Sequence, residues 1–435
     1  MTCRLLWSAP GAGAREGWGR ARGGYSAPVG DAAVDDGDAA GGPGPAPSPA
    51  PVVPDYGGAC LSSVVPALLD AMEPSRTAST GVPWPVDAGA APWVPSPLAG
   101  ARQVVLLLLD GLGWHQLRAN AAVAPTLAGG AGGPIHSVAP TTTATALTSL
   151  TTGTPPAVHG VVGYRVRVDG PDGGAGAVLN VLRWRTGDGD VRRTIRPPVF
   201  QPLAPFGGLA VPAVTRSEFA ATGFSAAHLG GVRHVGWSVA SSLVVQVRRL
   251  LEAGEPVVYA YYDGLDKVAH EHGLGDFYRQ ELVGADRLVG DLLGVLPPGA
   301  ALALTSDHGQ VEVGPATRML DPALFPMVEL VSGEGRFRWL HARAGAVEDV
   351  AAVARAAHGD EAWVRTRHEM VAEGWFGGPL PEHVARRLGD VALVAHAPVA
   401  FLDPADTGES RLCGRHGSLT AAEVQVPLLG WAAPG

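Results

Sequence analysis

Three stretches of the chain show an unbroken run of apolar residues that ends in acidic residues. They are VVLLLLDGLGW at 104–114, PVVYAYYDGLD at 256–266 and ALALTSDHG at 301–309. A run without polar alternation is typical of a strand buried on both faces of a parallel sheet. In open α/β sheets, ligands bind at the carboxyl ends of the strands. The pattern therefore predicts that three strands deliver carboxylates to one crevice.

Stretches with helical periodicity lie between and before these runs. SVASSLVVQVRRLLEAG precedes the second run, FYRQELVGADRLVGDLLGVL follows it, and CLSSVVPALLDAME forms a shorter amphipathic segment near the start. Helices that alternate with buried strands are typical of crossover units in an α/β fold. The predicted fold class is therefore α/β, with a mostly parallel central sheet.

A threonine-rich stretch, APTTTATALTSLTTG at 139–153, predicts a short helix that begins after a proline and ends at a glycine. Ala144, Leu147 and Leu150 recur every third residue and form one apolar stripe. The free N–H groups of a first helical turn favour a bound anion, and a hydroxyl beside them could attack phosphorus. Thr143 is thus a candidate nucleophile, although such threonines commonly serve only as helix caps.

Three segments depart from this alternation of strands and helices. Residues 1–55 are rich in Gly, Ala, Pro and Asp and are predicted to be a disordered arm, which leaves 56–435 as the catalytic domain. Periodicity breaks down over 163–237, which predicts a hairpin and long loops inserted as a cover over the substrate. Residues 335–403 combine RFRWLHAR, VEDVAAVARAAH and DVALVAHAPVAFL, a pattern that predicts a small α+β subdomain.

The charge of the chain narrows the classes of partner. The formal net charge of -9 argues against a nucleic-acid duplex, which requires clustered Lys and Arg. An acidic surface does not exclude a small phosphorylated substrate, because bound metal ions can outweigh the net charge locally. The sequence gives no indication of an oligomeric state.

Cysteine usage and hydropathy indicate a compartment. The cysteines, Cys3, Cys60 and Cys413, are too few and too scattered for a disulfide framework or a thiolate metal cluster. No apolar run reaches membrane-spanning length, and the first residues lack a secretory apolar core. We therefore expect a cytoplasmic protein without a membrane partner.

Six aspartate and histidine residues follow the predicted strands or lie in tight turns. Asp266 and His270 are four apart and would share one face of a helix, whereas the adjacent Asp307 and His308 end a buried strand. Each group alone has a simpler explanation as a surface pair, a capping aspartate or a surface histidine. With Asp110 and His416 they make two sets of three ligands with open coordination positions, as two-metal phosphoryl transfer requires.

Taken together, these motifs resemble the alkaline phosphatase superfamily, and most of all its type I phosphodiesterase/nucleotide pyrophosphatase branch. The resemblance covers about 95–435 and rests on VVLLLLDGLG, APTTTATALTSLTTGTPPAVHGVVGY, YAYYDGLDKVAHEHG, TSDHG and RHGSLTAAEVQVPLL. The sulfatase branch is disfavoured because its Cys/Ser-x-Pro-x-Arg signature is missing. The resemblance implies an alkaline-phosphatase-like three-layer α/β/α fold with a small α+β insertion.

The family pattern Pro-Thr-x-Thr implies that the nucleophile is Thr143, and not Thr141, Thr142 or Thr145. By the same resemblance, His159 in PPAVHG belongs to a structural His-Gly turn.

The resemblance also implies how the six ligands divide between two divalent cations. The first set is Asp110, Asp307 and His308, completed by the oxygen of Thr143, and the second set is Asp266, His270 and His416. Asp263 is a nearby competitor, but the family's Asp followed four residues later by His selects Asp266. Zinc is the preferred cation because each set mixes imidazole with carboxylate, and manganese is the alternative.

One departure from the family concerns substrate binding. In the nucleotide pyrophosphatases an asparagine downstream of the nucleophile helps to stabilise the phosphoryl oxygen, whereas here that position is Tyr164, followed by Arg165. Either residue could bind substrate, by a hydroxyl hydrogen bond or by a charged fork. The sequence shows no clear pair of aromatic residues that would bind a nucleobase, and Trp184 is the single candidate for such a contact.

The predicted function is a metal-dependent phosphoric ester hydrolase of the phosphodiesterase/nucleotide pyrophosphatase type, with a phosphothreonine intermediate on Thr143 and two metal ions. Its expected substrate is a small phosphorylated molecule, with nucleotides among the candidates. The alternatives are a phosphomonoesterase, a phosphonate hydrolase or a phosphomutase of the same superfamily. A noncatalytic phosphate-ester binding protein is a further alternative, disfavoured because no ligand position is missing.

Overall fold

The computed structural model of the chain describes residues 49–72, 91–170, 176–406 and 408–434. The strands of these residues are, in chain order, β1 Gln103–Leu109, β2 Ala131–His136, β3 Arg165–Val168, β4 Ala177–Asn180, β5 Arg185–Thr186, β6 Gly189–Asp190, β7 Pro212–Arg216, β8 Arg233–Trp237, β9 Val257–Tyr262, β10 Ala300–Thr305, β11 Val311–Glu312, β12 Thr317–Met319, β13 Val328–Glu334, β14 Phe337–Ala342, β15 Ala362–Thr366, β16 Val391–Ala395, β17 Ala400–Leu402, β18 Gly414–Arg415 and β19 Gln425–Ala432.

The α-helices of the same residues are α1 Leu61–Met72, α2 Trp114–Ala119, α3 Pro125–Ala128, α4 Thr143–Thr152, α5 Pro156–His159, α6 Pro197–Phe200, α7 Gly223–His228, α8 Ala240–Glu252, α9 Gly264–His272, α10 Asp276–Leu293, α11 Val347–His358, α12 Arg367–Ala372, α13 Glu382–Ala385 and α14 Ala421–Val424. None of these described helices is both long enough and apolar enough to cross a membrane.

The three apolar runs form the centre of one sheet. The order of strands in the described chain is β2-β19-β10-β1-β9-β7-β8, so β1 lies between β10 and β9 and pairs with both in parallel. Leu106 of β1 lies opposite Ala303 on one side and Tyr259 on the other. The last strand, β19, runs antiparallel to β10. The predicted mostly parallel sheet is confirmed.

Side chains of β1 alternate between two cores, which explains why the strand carries no polar side chain after Gln103. Val104 and Leu106 pack into the core that includes α1 and α4, and Val105 and Leu107 pack into the core that includes α8 and α10. Since both faces of the strand are covered by helices, both must be apolar. The molecule therefore has the predicted α/β/α layers.

Helix α4 is buried on every side, not only along the predicted apolar stripe. Two of its threonines satisfy their hydroxyls within the helix: Thr148 donates to the carbonyl of Ala144 at 2.7 Å, and Thr152 donates to that of Thr148 at 2.7 Å. This back-bonding lets a threonine-rich helix lie in the core without unpaired hydroxyls at these positions. The helix ends at Gly153, whose φ of 66° is left-handed.

The prediction of a hairpin with long loops over 163–237 is correct only in part. Strands β3 and β4 form the expected antiparallel hairpin. However, β7 and β8 are parallel strands of the central sheet, with the short helix α7 between them. The sequence pattern missed them because both strands are short and carry Arg, His, Pro or Gly, as strands near a sheet edge often do.

An α+β unit is present in the region predicted, and residues 335–403 contain most of it. Its sheet, in the order β13-β14-β16-β15, is antiparallel and includes the predicted strands over RFRWLHAR and DVALVA. Helix α11 packs on β15 and β16 through Val350 and Ala354. Strand β13, which pairs with β14, precedes residue 335, so the unit begins earlier in the chain than predicted.

The predicted disordered arm lies for the most part, at 1–48, outside the described residues. Its described end, 49–55, packs on the rest of the structure: the N–H of Val52 donates to the carbonyl of Leu419 at 2.9 Å, and Trp363 donates to the carbonyl of Pro49 at 2.6 Å. The part of the described chain that packs on the catalytic domain therefore begins before residue 56, the predicted boundary.

Candidate active site

The carboxyl ends of β1, β9 and β10 meet at one edge of the sheet, where Asp110, Asp266 and Asp307 follow them in turns and helix α9. Gly111 makes this convergence close. Its φ is 77°, and a Cβ at this position would lie 3.0 Å from both the Cα and the Cβ of Asp266. Only glycine combines this backbone conformation with so close an approach.

The first ligand set is completely buried. Asp110 is 2% exposed, and Asp307 and His308 are 0% exposed. The Nε2 atom of His308 lies 3.5 Å from Asp110 Oδ1 and 3.3 Å from Asp307 Oδ2. The other oxygen of Asp307 accepts the N–H groups of Gly111 and His308, each at 3.1 Å. Each aspartate is thereby fixed in place through one oxygen while the other faces His308.

The second set lies on helix α9 and the turn after β18. Asp266 and His270 are one helical turn apart, and Asp266 Oδ1 lies 3.3 Å from His270 Nε2 and 3.8 Å from His416 Nε2. Gln310 donates to the same oxygen of Asp266 at 2.6 Å. The predicted ligands of this set therefore converge as the sequence indicated.

Hydrogen bonds at Nδ1 orient all three histidines. His270 bonds through Nδ1 to the carbonyl of Gly414 at 2.8 Å, His416 to that of Thr141 at 2.8 Å and His308 to that of Gly309 at 3.1 Å. A carbonyl acceptor fixes the proton on Nδ1 and leaves the lone pair of Nε2 for a cation. Burial, followed by His308 and His270, holds the pKa of His416 well below its usual range, so that this imidazole is neutral.

The donor atoms fit divalent cations. In each set, the ligand atoms lie within 4.8 Å of one another. Asp110 Oδ1 and Asp307 Oδ2 are buried without any hydrogen-bond partner in the described chain. Burial, with the charges of Asp307 and Asp266, raises the pKa of Asp110 well above its usual range. A cation would satisfy these oxygens and offset this repulsion, because buried carboxylates must be paired or coordinate a metal.

Thr143 is the first residue of α4, and its side chain lies beside the first ligand set. Its Oγ1 atom is 3.2 Å from His308 Nε2, the atom that faces both aspartates of the first set. Thr143 is 8% exposed, whereas Thr141, Thr142 and Thr145 are 0–1% exposed, and the Thr141 hydroxyl donates to the carbonyl of Ser418. Thr143 is thus the threonine that the fold brings to the ligands.

Asp263, the competitor for the second set, is occupied elsewhere. It forms ion pairs with Arg216 at 2.7 Å and with Lys267 at 2.6 Å. These ion pairs engage its carboxylate, and Asp263 is not among the residues whose ligand atoms converge with His416. Geometry and the family spacing therefore agree on Asp266.

Two further residues support the ligands and were not predicted. The Tyr261 hydroxyl donates to Asp110 Oδ2, and Gln310 donates to Asp266. Tyr261 stands in YAYYDGLD, a motif that the sequence had singled out, and Gln310 directly follows TSDHG. Alternation along β9 could have indicated that Tyr259 and Tyr261 face the same side of the sheet.

The residues proposed for substrate binding have other contacts. Arg165 is 8% exposed and pairs with Asp403 at 2.7 Å and Asp406 at 3.3 Å. Asn180 donates to the Tyr164 hydroxyl at 2.7 Å. Neither Tyr164 nor Arg165 is among the described residues that line the cavity beside Thr143.

Two other residues singled out in the sequence lie in the core. Trp184 is 0% exposed, and its indole N–H donates to the carbonyl of Ile195, so it cannot stack on a nucleobase. His159 lies in the expected turn, where it is hydrogen-bonded to the Ser149 hydroxyl at 2.7 Å and accepts the N–H of Val161. These contacts agree with a structural role for His159.

A cavity of about 220 Å³ opens beside Thr143 and Asp110. Apolar side chains, among them Leu147, Leu182, Phe219, Phe224, Leu229 and Tyr259, form most of its lining surface, and polar residues that include Thr215, Ser225, Asp263 and Lys267 form the rest. Several of these residues lie within 163–237, so this region does face the site, as the sequence predicted, although part of it is central sheet.

Comparison with known proteins identifies the class and then the family. The family model described as type I phosphodiesterase / nucleotide pyrophosphatase matches residues 104–419. This match and the two ligand sets define the chain as a phosphoester hydrolase. The chain belongs to the type I phosphodiesterase/nucleotide pyrophosphatase family, within the alkaline phosphatase superfamily, and this family is metal-dependent. No curated protein matches in the sequence comparison.

Solved structures share the fold. Murine ectonucleotide pyrophosphatase/phosphodiesterase 5 is 16% identical, with a TM-score of 0.56 over 75% of this chain and 87% of its own. The same murine enzyme, as an inactive threonine-to-alanine variant in complex with AMP, is 15% identical, with a TM-score of 0.57 over the same shares of the two chains, 75% and 87%. Phosphonoacetate hydrolase from Sinorhizobium meliloti 1021, in complex with phosphonoacetate, is 20% identical, with a TM-score of 0.54 over 76% of this chain and 90% of its own. At these identities the likeness concerns the fold.

Proposed function

We propose that this protein hydrolyses phosphodiesters through a phosphothreonine intermediate on Thr143, with two divalent cations. The observation that carries the proposal is the position of Thr143 Oγ1, 3.2 Å from His308 Nε2 at the start of a helix and beside two preorganised ligand sets. In-line displacement at phosphorus is served by a nucleophile, side chains that bind divalent cations and a helix N-terminus, all within one site.

Asp110, Asp307 and His308, with the Thr143 oxygen, would hold one cation, and Asp266, His270 and His416 would hold the other. Bound divalent cations supply Lewis acidity: they neutralise phosphoryl charge and lower the pKa of a hydroxyl or of water. The mixture of imidazole and carboxylate favours zinc, with manganese as the alternative.

Thr143 Oγ attacks phosphorus in line with the leaving group. The P–Oγ bond forms as the bond to the leaving alkoxide breaks, and the alkoxide departs with a proton as the alcohol. A water molecule then attacks the phosphothreonine, and the P–Oγ bond breaks. Thr143 regains its hydroxyl proton, and the phosphomonoester is released. The N–H groups of the first turn of α4 donate to the nonbridging oxygens in both steps.

The proposed substrate is small and phosphorylated. The net charge of -9 supports this against a nucleic-acid duplex, and solved structures of the same fold contain AMP or phosphonoacetate. Phosphonate hydrolysis is the second candidate, favoured by the compact cavity beside Thr143 and by the likeness to phosphonoacetate hydrolase. Inorganic phosphate released from phosphonoacetate, without turnover of diesters, would favour that alternative.

Replacement of Thr143 by alanine tests the proposal. We expect Thr143→Ala to lose hydrolysis of a nitrophenyl phosphodiester while metal content and melting temperature are retained. Thr145→Val is the matched control on the same helix, because the buried Thr145 hydroxyl has no partner in the described chain and Val preserves its shape. Full activity in Thr143→Ala, measured on metal-loaded protein, would refute Thr143 as the nucleophile.

A further inference from the structure

The cavity beside Thr143 differs in chemistry from the ligand sets that it adjoins. Thr143, Asp110 and Asp266 form its end at the ligands. Most of the remaining wall surface is aliphatic and aromatic, with Leu147, Leu182 and Leu229 among its residues, and the ion pair of Asp263 with Lys267 forms a charged part of the wall. If a phosphorus atom is bound at Thr143, an organic group attached to it would therefore point away from the polar ligands and lie in a mainly apolar space. Apolar walls favour apolar substituents because their burial removes surface from water.

The size of the cavity limits that group. At about 220 Å³ it is smaller than the ~300–1,000 Å³ that pockets for drug-sized ligands occupy, and larger than the ~150 Å³ cavity that accommodates benzene. A methyl, short alkyl or single aromatic substituent matches this volume. A nucleoside, which combines a sugar with a base, exceeds a single ring in size.

The aromatic residues of the wall are not arranged to clamp a base. Phe219 and Tyr261 have ring centroids 6.2 Å apart but are inclined by 57°. Phe224 is covered on one face by the imidazole of His228, at 4.0 Å and 18°. A base held between two rings needs parallel faces with space between them, which these pairs do not provide.

One wall residue carries a buried hydroxyl without a partner. Tyr259 is 1% exposed, and its hydroxyl makes no hydrogen bond in the described chain. The neighbouring tyrosines of β9 differ, since Tyr261 donates to Asp110 and Tyr262 donates to Glu281. Burial, with the charges of Asp307 and Asp110, raises the pKa of Tyr259 well above its usual range, so the hydroxyl keeps its proton. An unpaired buried donor is costly to the folded state and is available to a ligand.

We propose that this cavity takes the organic substituent of the attacked phosphoryl group, that it selects a compact apolar substituent over a nucleoside, and that the Tyr259 hydroxyl donates a hydrogen bond to an oxygen of the bound ester. The inference rests on the proposed function. It narrows the substrate class to phosphodiesters of small alcohols or phenols.

Diesters with a common leaving group test the selectivity. Methyl 4-nitrophenyl phosphate, phenyl 4-nitrophenyl phosphate and the 4-nitrophenyl ester of thymidine 5′-phosphate all release nitrophenolate and differ only in the retained substituent. We expect kcat/KM for the methyl or phenyl ester to exceed that for the thymidine ester by about tenfold or more. A preference for the thymidine ester, with turnover that still depends on Thr143, would overturn the inference and leave the proposed function intact. Absence of turnover with all three would instead count against the proposed function.

Enlargement of the cavity should change the selectivity in a defined direction. Leu182 is only partly buried, so Leu182→Ala removes a wall side chain with little risk to the core. We expect the ratio of kcat/KM values, methyl ester over thymidine ester, to fall in this variant. Leu380→Ala is the matched control, because Leu380 is also partly buried but lines a different cavity. An unchanged ratio in Leu182→Ala would contradict the assignment of the cavity.

The role of Tyr259 is tested by removal of its hydroxyl alone. We expect Tyr259→Phe to keep or raise the melting temperature, because the lost hydroxyl has no partner, and to lower kcat/KM by about tenfold. Weaker inhibition by inorganic phosphate would show that the bond goes to a phosphoryl oxygen. Tyr262→Phe is the control, since its hydroxyl bonds Glu281 outside the cavity, and should leave kcat/KM unchanged. Wild-type kinetics with every diester in Tyr259→Phe would exclude the hydrogen bond.

Discussion

The imidazole rings of His308 and His416 lie face to face, with ring centroids 3.5 Å apart and planes inclined by only 9°. One ring belongs to each ligand set, and each is held by a different backbone carbonyl, that of Gly309 or that of Thr141. The two sets therefore share a wall of stacked rings, and Thr143 lies at its edge, close to His308. This contact joins two ligand sets whose residues come from several separate stretches of the chain.

Removal of metal is expected to abolish activity and to destabilise the protein. The buried carboxylates of Asp110 and Asp307 each have an oxygen with no partner in the described chain, so a bound cation contributes to the stability of the folded state. A cation at a hundredfold excess over its Kd stabilises by about 2.7 kcal/mol. Melting curves and hydrolysis rates with a chelator, and then with zinc or manganese added back, measure both effects. Unchanged melting and activity after complete chelation would contradict a metal site.

Single substitutions should remove the cations one at a time. We expect Asp307→Asn to lose the cation of the first set and Asp266→Asn that of the second, because each change removes a charged ligand. Asp263→Asn is the control, since Asp263 pairs with Arg216 and Lys267, and it should keep the metal content of the wild type. Elemental analysis of the purified variants gives the stoichiometry. A loss of metal in Asp263→Asn alone would reverse the choice of ligand.

Arg165 is expected to act on stability more than on substrate binding. Its guanidinium pairs with Asp403, and both side chains are almost buried, at 10% and 5% exposed. Arg165→Ala leaves a buried carboxylate unpaired, which costs about 3 kcal/mol, whereas KM should change little. Arg183→Ala, at an exposed arginine of the same hairpin region, is the control for a change of charge. Chemical denaturation and steady-state kinetics separate the two effects, and a raised KM with unchanged stability would restore the sequence-based role in substrate binding.

His159 is expected to make the metal-free protein sensitive to acid. Burial, with the nearby charge of Arg387, lowers the pKa of His159 to about 3, whereas its pKa in the unfolded chain is about 6.5. Because the unfolded chain binds the proton more readily, the free energy of unfolding falls as the pH drops from about 6.5 towards about 3. At pH 5 the loss from this group is about 2 kcal/mol.

Denaturation of His159→Gln between pH 5 and 8 isolates this contribution. The variant is less stable than wild type at pH 8, because it disturbs the bonds to Ser149 and Val161, but its stability should decline less towards pH 5. The measurements belong in chelator, so that proton competition at the ligand histidines does not contribute. Parallel pH profiles for the two proteins would refute a buried neutral His159.

The parts of the fold that the sequence predicted are those with a strong local pattern. Strand β1 is apolar from Val104 to Leu109 because both its faces are covered, and α8 and α10 show clear helical periodicity. Strands β7 and β8 were missed, since a short strand near a sheet edge carries no comparable signal. Strand β7, PAVTR, joins the sheet because the edge of β9 is free to pair with it. This is a tertiary property that the local sequence pattern does not contain.

The same division holds for the site. The six predicted ligands and the predicted nucleophile, Thr143, stand in short motifs whose residue types and spacing resemble those of the family, so the sequence was sufficient to propose them. The roles of Tyr164 and Arg165 depended on what else lay nearby, and Asp403, which pairs with Arg165, is distant in the chain. Tyr259 could not be chosen over Tyr261 and Tyr262 by its identity, because the three differ only in the partner of the hydroxyl.

The sequence by itself therefore determined the apolar strands and the helices between them, which follow from local periodicity. It also determined which residues to propose as nucleophile and ligands, which follow from residue types and from the resemblance to the family. Only the tertiary structure decided that a cavity lies beside Thr143 and how large this cavity is. It also decided that the rings of His308 and His416 stack. Those properties arise from contacts between segments far apart in the chain, and the physical reason is packing: a side chain becomes a ligand, a wall or an ion-pair partner according to what the fold places against it.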